Sequence, residues 1–364
     1  MKILIVTNIP APYRIPVYNK LGKIYGNDFK VIYCAKLEPN RQWDLGEIKF
    51  NCLFLKEKYS EYKDTFIHNN FDVIRSIHKF RPDVVITTGF NPTYLYSWAY
   101  TIIKGIVHIP FTDGWEGSEK HLSIWHKLIR FLVYRTSSSY IAAGYNSMKL
   151  YEAYGVNSNA IFISHLCIDN DVFLAYKNNF RSFDVMFSGR ITEGKIPDYF
   201  VEVVKKLTRI RTGVSVLVIG DGPLRNKFID SIKATGAYLF YPGFIPQKDL
   251  PSYYSMAKLF LFTTVRDAWG IVVNEALASG TPVITTPYAG IINDLIIDGF
   301  NGYIVDLDAD LWAKKINEIL EDEVMLSTLR FNGLKKILEY DYDGATKGII
   351  AAIEYANNRK LNKC

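Results

Sequence analysis

The sequence predicts an α/β fold of two doubly wound domains, and three observations carry that prediction. The chain has 364 residues, more than one hydrophobic core comfortably serves, so its size favours two domains. Short apolar runs alternate with longer stretches of helical period, the pattern of a parallel sheet flanked by helices. The rhythm breaks once, in AIFISHLCIDNDVFLAYKNNF, where a strand gives way to a polar, Asn-rich segment.

Before that break the expected strands are KILIVTN (2–8), FKVIYCA (29–35), DVVITTG (83–89) and HIPFTDG (108–114). After it come FDVMFSGR (183–190), VSVLVIGDG (214–222), KLFLFTT (258–264), TPVITT (281–286) and GYIVD (302–306). The domains are expected at 1–172 and 173–340, with a C-terminal helix over 341–364 packing back on the first. Sheets of this kind bind ligands at the carboxyl ends of their strands. The chemistry is therefore expected in a cleft between two Rossmann-like domains that face each other.

Composition excludes several classes. Cys34, Cys52, Cys167 and Cys364 lie far apart with no CxxC and no Cys/His cluster, so neither a disulfide framework nor a structural metal is indicated, and a reducing, cytoplasmic setting is the default. MKILIVTNIP lacks the apolar region and cleavage site of a signal peptide and reads as a first strand. The most membrane-like segment, Tyr94 to Phe111, carries Lys104 and Pro110 and falls short of the ~20 clean apolar residues of a spanning helix.

The net charge of +6 is unevenly placed: residues 1–170 hold 20 Lys/Arg against 14 Asp/Glu, and residues 171–364 hold 23 of each. A basic first half attracts anionic partners, either phosphorylated molecules or an acidic membrane surface. No zinc-finger spacing, Arg-rich arm or RNP-like motif supports nucleic acid as a partner.

The second half holds the chemistry. In FSGRITEGK, Gly189, Arg190 and Lys195 follow a strand end. A planar fork and a point charge together suit a diphosphate, though a solvated Arg/Lys pair at a helix start is the plainer reading. IGDGP (219–223), with Gly222, lets the backbone approach a ligand or simply makes a tight βα turn. It is not GxGxxG, and the first strand runs into TNIPAP, which argues against a nicotinamide or flavin dehydrogenase. In RDAWGIVVNEALASGTPVIT (266–285), Asp267 lies in a loop and a helix begins near Trp269 to Ile271. The free amides at that start make an anion site. Glu275 stands a turn inside the helix, where a carboxylate can accept from two sugar hydroxyls.

The series Gly189-Arg190, Lys195, GDGP, the Gly243-Phe244 of YPGFIPQKDLPSYYSMA, and D-x-W-G-x-x-x-x-E before ALASGTPVI resembles the carboxy-terminal domain of family 4 glycosyltransferases of the GT-B fold (glycosyl transferases group 1). The resemblance implies that Arg190 and Lys195 hold the donor diphosphate together with the amides near Gly270 and Ile271, and that Glu275 binds the donor ribose. It implies Gly189, Gly222, Phe244 and Trp269 as further donor contacts, and Asp267 toward the transferred sugar. The first acidic position of the motif is commonly Glu, so Asp267 reaches about one methylene less.

The first half resembles the family more loosely. RPDVVITTG, AAGYNSMKLYEAYGV and CIDNDVF fit its first domain and link, which implies Asp113 of HIPFTDGW as a polar contact to sugar or acceptor. Asp-Gly is equally a turn signal. His108, earlier on that strand, is expected in the core. Arg14, in the loop NIPAPYRIPVY, is either a clamp for an acceptor phosphate or a surface Arg on a rigid loop. KHLSIWHKLIRFLVYR (120–135) reads as a basic amphipathic helix, which can lie on anionic lipid or pack as an ordinary surface helix. In DLDAD, Asp308 or Asp310 is expected as a helix N-cap.

The resemblance thus implies a retaining, metal-independent hexosyltransferase without a cofactor. It would move a sugar from a UDP- or GDP-sugar to a glycan or polyprenyl-linked acceptor, at the inner face of the cytoplasmic membrane, in bacterial capsule or lipopolysaccharide synthesis. An epimerase of the same design, or a sugar-nucleotide binding protein without catalysis, are the alternatives.

Overall fold

The structure is a computed structural model that describes residues 1–41, 43–62, 65–176 and 180–361; Cys364 and the end of the expected helix 341–364 lie outside the described residues. The chain forms two compact units. One runs from Met1 to Leu166 and takes up the chain again from Tyr342; the other is Cys167–Asp341. The change of unit therefore falls between Leu166 and Cys167, earlier than the expected 172/173.

The first unit is laid down as β1 (Ile3–Thr7), α1 (Ile15–Tyr25), β2 (Phe29–Tyr33), β3 (Asn51–Phe54), β4 (Tyr59–Tyr62), β5 (Thr65–His68), α2 (Val73–Phe80), β6 (Val84–Thr87), α3 (Pro92–Lys104), β7 (Val107–Thr112), α4 (Glu116–Glu119), α5 (Ile124–Thr136), β8 (Tyr140–Ala142), α6 (Tyr145–Ala153) and β9 (Ile161–Ile163). Its parallel sheet has the order β3-β2-β1-β6-β7-β8-β9. All five residues of β1 are buried, as befits a central strand covered on both faces. The exposed β3 sits at the edge, and β4 and β5 form a separate antiparallel hairpin.

The second unit follows as α7 (Asn170–Leu174), β10 (Phe183–Ser188), α8 (Pro197–Ile210), β11 (Ser215–Ile219), α9 (Arg225–Lys233), β12 (Tyr238–Gly243), α10 (Leu250–Tyr254), β13 (Ala257–Phe262), α11 (Ile271–Ala278), β14 (Val283–Thr285), β15 (Gly302–Ile304), α12 (Ala309–Glu321) and α13 (Glu323–Ile337). Its parallel sheet has the order β12-β11-β10-β13-β14-β15. Counted along this unit, the order is third, second, first, fourth, fifth, sixth, the dinucleotide-fold winding. Phe187 of β10 meets Phe200 of α8 and Phe228 of α9 with ring centroids 5.0 to 5.6 Å apart. Each such buried ring contributes roughly 1.5–3 kcal/mol. As expected, Asp308 caps α12, accepting from the amides of Asp310 and Leu311.

The last helix, α14 (Tyr342–Leu361), belongs to the first unit. It lies against β9 so closely that a Cβ on Gly348 would stand 1.8 Å from the Ile163 carbonyl oxygen. Ser139 Oγ donates to the Ala352 carbonyl at 2.7 Å.

Strand order reverses between β10 and β13, and this is where a sheet of this winding opens a crevice at its carboxyl edge. The backbone there leaves no room for side chains at Gly220 and Gly222. Gly220, after β11, has φ of 125°, and a Cβ on it would lie 2.0 Å from the Gly189 carbonyl oxygen. Gly220→Ala is therefore expected to destabilise the fold by at least ~1–3 kcal/mol, seen as a lower urea midpoint; an unchanged midpoint would contradict this packing.

Candidate functional site

The crevice of the second unit is built from two loops that leave neighbouring strands. After β10 the chain runs through Gly189 and Arg190 to a single 3-10 turn, Glu193–Lys195. After β13 it runs through Thr263 and Thr264 to Asp267. The two threonines join the loops: Thr263 Oγ1 donates to the Lys195 carbonyl at 2.9 Å and Thr264 Oγ1 to the Gly194 carbonyl at 3.0 Å. Val265 N–H adds a third bond to Gly194 at 3.3 Å.

These bonds bring Lys195 to Asp267. The Lys195 ammonium donates to Asp267 Oδ2 and forms a partly buried ion pair with it, while lying 4.3 Å from the centre of the Phe262 ring. Asp267 Oδ1 accepts from the Trp269 amide at 3.0 Å. The Asp267 backbone is fixed as well, donating to the Tyr288 carbonyl at 3.2 Å and accepting from the Gly290 amide at 2.9 Å. The shorter acid is thus held on both sides and reaches Lys195.

α11 begins at Ile271, within the expected window. Gly270 precedes it with φ of 87°, and a Cβ there would meet the Phe262 ring at 2.5 Å, so glycine is needed for both conformation and space. The Trp269 side chain is enclosed: the residue is 3% exposed, and the indole Nε1 donates to Asn274 Oδ1 at 3.0 Å. The indole faces inward to Asn274 and Tyr340. What it supports is the start of the helix.

Glu275 is only 6% exposed. Its Oε2 accepts from Tyr254 Oη at 2.8 Å, and the same phenol bonds Ser188 Oγ at 2.7 Å. Burial raises the Glu275 pKa to about 7, opposed by the Tyr254 hydrogen bond. Near neutrality the carboxyl is divided between its two forms. Its other oxygen makes no hydrogen bond among the described residues, so one acceptor remains for a ligand hydroxyl. Tyr254, from α10, and Ser188, the last residue of β10, escaped the sequence reading. The only signal for them was a tyrosine in SYYSMA and a serine at a strand end.

The remaining donor-side positions frame the crevice. Gly189 has φ of 132°, and a Cβ on Gly222 would lie 2.4 Å from the Ile191 carbonyl oxygen. Phe244 follows Gly243, at the end of β12, and is half exposed.

In the first unit, Arg14 is neither on the surface nor loose. It is buried, stacks over Phe111 at 4.2 Å, and donates to Ser164 Oγ and the His165 carbonyl, each at 3.3 Å. The surface-Arg reading is therefore corrected: desolvation is met by an aromatic face and two acceptors. Asp113 is exposed past the end of β7, and the turn there is closed by Gly114 N–H donating to Thr112 Oγ1 at 3.0 Å. His108 is a core residue, bonded to Thr87 and Ser137, with its pKa lowered by burial to about 3. Among the described residues no group of His, Cys, Asp and Glu is arranged to hold a metal ion, and no helix is long and apolar enough to cross a membrane.

Comparison with known proteins agrees with this geometry. Residues 169–336 match the family described as glycosyl transferases group 1. The alpha-monoglucosyldiacylglycerol synthase of Acholeplasma laidlawii is 30% identical over 47% of this chain and 42% of its own length. The capsular polysaccharide biosynthesis glycosyltransferase CapM of Staphylococcus aureus is 32% identical over 43% of this chain and 41% of its own length. These matches thus span less than half of those curated relatives. Among solved structures, HepE of Anabaena in complex with UDP superposes with a TM-score of 0.76 at 16% identity, over 97% of this chain and all of that one. A glycosyltransferase from Rickettsia africae does so with a TM-score of 0.74 at 16% identity, over 98% of this chain and 99% of that one. Over residues 169–336 the second unit is thus similar to the glycosyl transferases group 1 family, and the chain has the GT-B fold.

Proposed function

We propose that the protein is a retaining, metal-independent glycosyltransferase that moves a hexose from a UDP- or GDP-sugar to a hydroxyl of a glycan or polyprenyl-linked acceptor. The observation that carries this reading is the crevice between β10 and β13, where Lys195, Asp267 and the start of α11 converge with Glu275 one turn behind. HepE, of the same fold, was solved with UDP. CapM, similar over 43% of the chain, is named for capsular polysaccharide biosynthesis, which supports a bacterial surface glycan as the product. The work place is then the cytoplasm, at the inner membrane face.

As the bond from the anomeric carbon to the diphosphate breaks, its electron pair goes to the phosphate oxygen. Arg190, Lys195 and the amides at Gly270 and Ile271 stabilise that charge, which is the largest expected catalytic effect. Lys195 has three N–H donors, so it keeps Asp267 while giving another to phosphate. Asp267 both aims the ammonium and faces the transferred sugar. Glu275 accepts from the ribose, and Gly189, Gly222 and Phe244 border the nucleotide. Asp113 would contact sugar or acceptor from the first unit. The alternatives are an epimerase, which would consume donor without an acceptor, and a binding protein without turnover.

Arg190→Ala and Lys195→Ala should each lower kcat/KM by roughly 10- to 150-fold, the worth of one charged hydrogen bond; near-normal transfer by both would refute the diphosphate assignment. A thermal-shift series against UDP- and GDP-sugars should single out the donor, since a ligand at a hundred times its Kd adds about 2.7 kcal/mol of stability.

Glu275→Gln separates stability from function. Because the native pKa of Glu275 lies above its usual 4.5, the folded protein holds an extra proton between about pH 4.5 and 7, and stability falls as pH rises through that window. The neutral amide should therefore be more stable than the parent at pH 8, by up to about 3 kcal/mol, and equal to it near pH 4. Donor binding should fall at both. Urea titrations at the two pH values check the sign.

A further inference from the structure

Three side chains form a hydrogen-bonded chain from the end of β10 to the middle of α11. Tyr254 Oη lies 2.7 Å from Ser188 Oγ and 2.8 Å from Glu275 Oε2. A phenol has one proton and can donate to only one of them. Hydrogen bonds to an ionised acceptor are the stronger, so Tyr254 donates to the Glu275 carboxylate and Ser188 donates to the phenol oxygen. The phenol keeps its proton, because burial and then the charge of Glu275 raise its pKa well above the usual value. Two protons thus serve two contacts, and the chain is complete with Glu275 ionised.

A third proton has one place to go. On Oε2 it would reverse both bonds: the carboxyl would donate to the phenol, the phenol to Ser188, and the serine proton would be left without an acceptor. Ser188 is 5% exposed, and its hydroxyl makes no second hydrogen bond among the described residues. Stranding a buried donor is costly. On Oε1 the proton disturbs neither bond. Oε1 makes no hydrogen bond among the described residues, so it is the oxygen left for a ligand, and a proton there turns an acceptor for hydroxyls into a donor.

The surroundings leave this titration to Glu275. Tyr254 is the titratable group that acts on its carboxyl. α7 sends Phe173 to the Tyr254 ring and keeps Asp171 exposed, while β13 supplies Phe260. α13 directs Arg330 to the Gly280 carbonyl past the end of α11, pairs Lys336 with Glu339, and leaves Glu323 and Lys335 exposed. β14 offers only Val283, Ile284 and Thr285. Before the helix, Lys195 is paired with Asp267. The segment Cys167–Asp341 contains no histidine.

We propose that Tyr254 is a positioning residue for donor binding: it holds Glu275 so that any proton the carboxyl gains lands on the ligand-facing Oε1, and the nucleotide-sugar is held by the ionised form and let go on protonation. The inference rests on the assignment of Glu275 to the donor ribose. Burial raises the Glu275 pKa to about 7 against the pull of the Tyr254 bond, which sets the switch near neutrality. Because Ser188 directly precedes Gly189 and Arg190, the same chain ties the ribose side of the crevice to its diphosphate side.

The test is calorimetric titration of UDP-glucose and of GDP-mannose into the full chain between pH 5.5 and 8.5. Their diphosphate is esterified at both ends and does not titrate in that range, as a free terminal phosphate would. The donor should bind roughly 30-fold more weakly at pH 5.5 than at pH 8.5, as linkage requires of a group with a pKa near 7 that binds only when ionised. Tyr254→Phe, with unchanged circular dichroism, should move the midpoint up by about one pH unit or more, the worth of a hydrogen bond to a charged group. Its loss of affinity is then greatest near pH 7 and shrinks toward pH 8.5. Ser188→Ala, which spares the phenol, should shift the midpoint the same way by less. Glu275→Gln should bind with no pH dependence and below the parent at either end. A loss by the same factor at every pH in Tyr254→Phe, which is what a merely structural role gives, overturns the proposal. So does a midpoint that survives in Glu275→Gln, or parent affinity that is level or rises toward pH 5.5; each of these leaves the donor assignment standing. No binding of either nucleotide-sugar at any pH overturns both.

Discussion

The ion pair between Lys195 and Asp267 is the contact on which the site of the second unit depends. It joins loops that leave strands lying side by side in the sheet but separated in sequence by α8, β11, α9, β12 and α10. An exposed pair is worth little, since water screens it and both side chains must be ordered. This pair is partly buried, and its loops are already ordered by Thr263 and Thr264. The backbone has met the ordering cost before the charges meet. An isolated lysine would sample many rotamers. Here Asp267 on one side and the Phe262 ring on the other leave it one.

The same economy of position explains the neighbourhood of Glu275. A carboxylate in an almost wholly buried helix is expensive unless it is hydrogen-bonded or protonated. The chain uses both remedies, a phenol donor and a raised pKa, and keeps the carboxyl poised between charge states. Had stability alone shaped α11, whose residues from Val273 to Ala278 are all buried, an apolar side chain would serve better. Sequences keep such a cost chiefly at sites where function requires it.

How much was legible in the sequence follows from distance along the chain. Strands of five or six residues, such as β10 and β13, announce themselves as apolar runs ending in Gly or Thr. β8 and β3 do not stand out in the same way; β12, YLFYPG, carries a proline that argues against a strand. Motif residues that lie together, Asp267 to Glu275, could be read with their helix start. Interactions between segments could not: the phenol of Tyr254 under Glu275, the threonine anchors of the Lys195 turn, and the stacking of Arg14 on Phe111. The sequence shows α5 as a basic amphipathic helix but does not say which way its apolar residues face; the structure exposes Ile124, Trp125 and Leu128.

The return of α14 to the first sheet has a consequence for synthesis. The second unit is continuous in the chain, so every segment it needs has been made by Asp341. The first unit is not; β9 waits for Gly348 and its neighbours, whose fit against Ile163 leaves no space for a substitute. The first unit therefore cannot close until the chain beyond the second has been made, which departs from the usual order in which amino-terminal domains mature ahead of later ones.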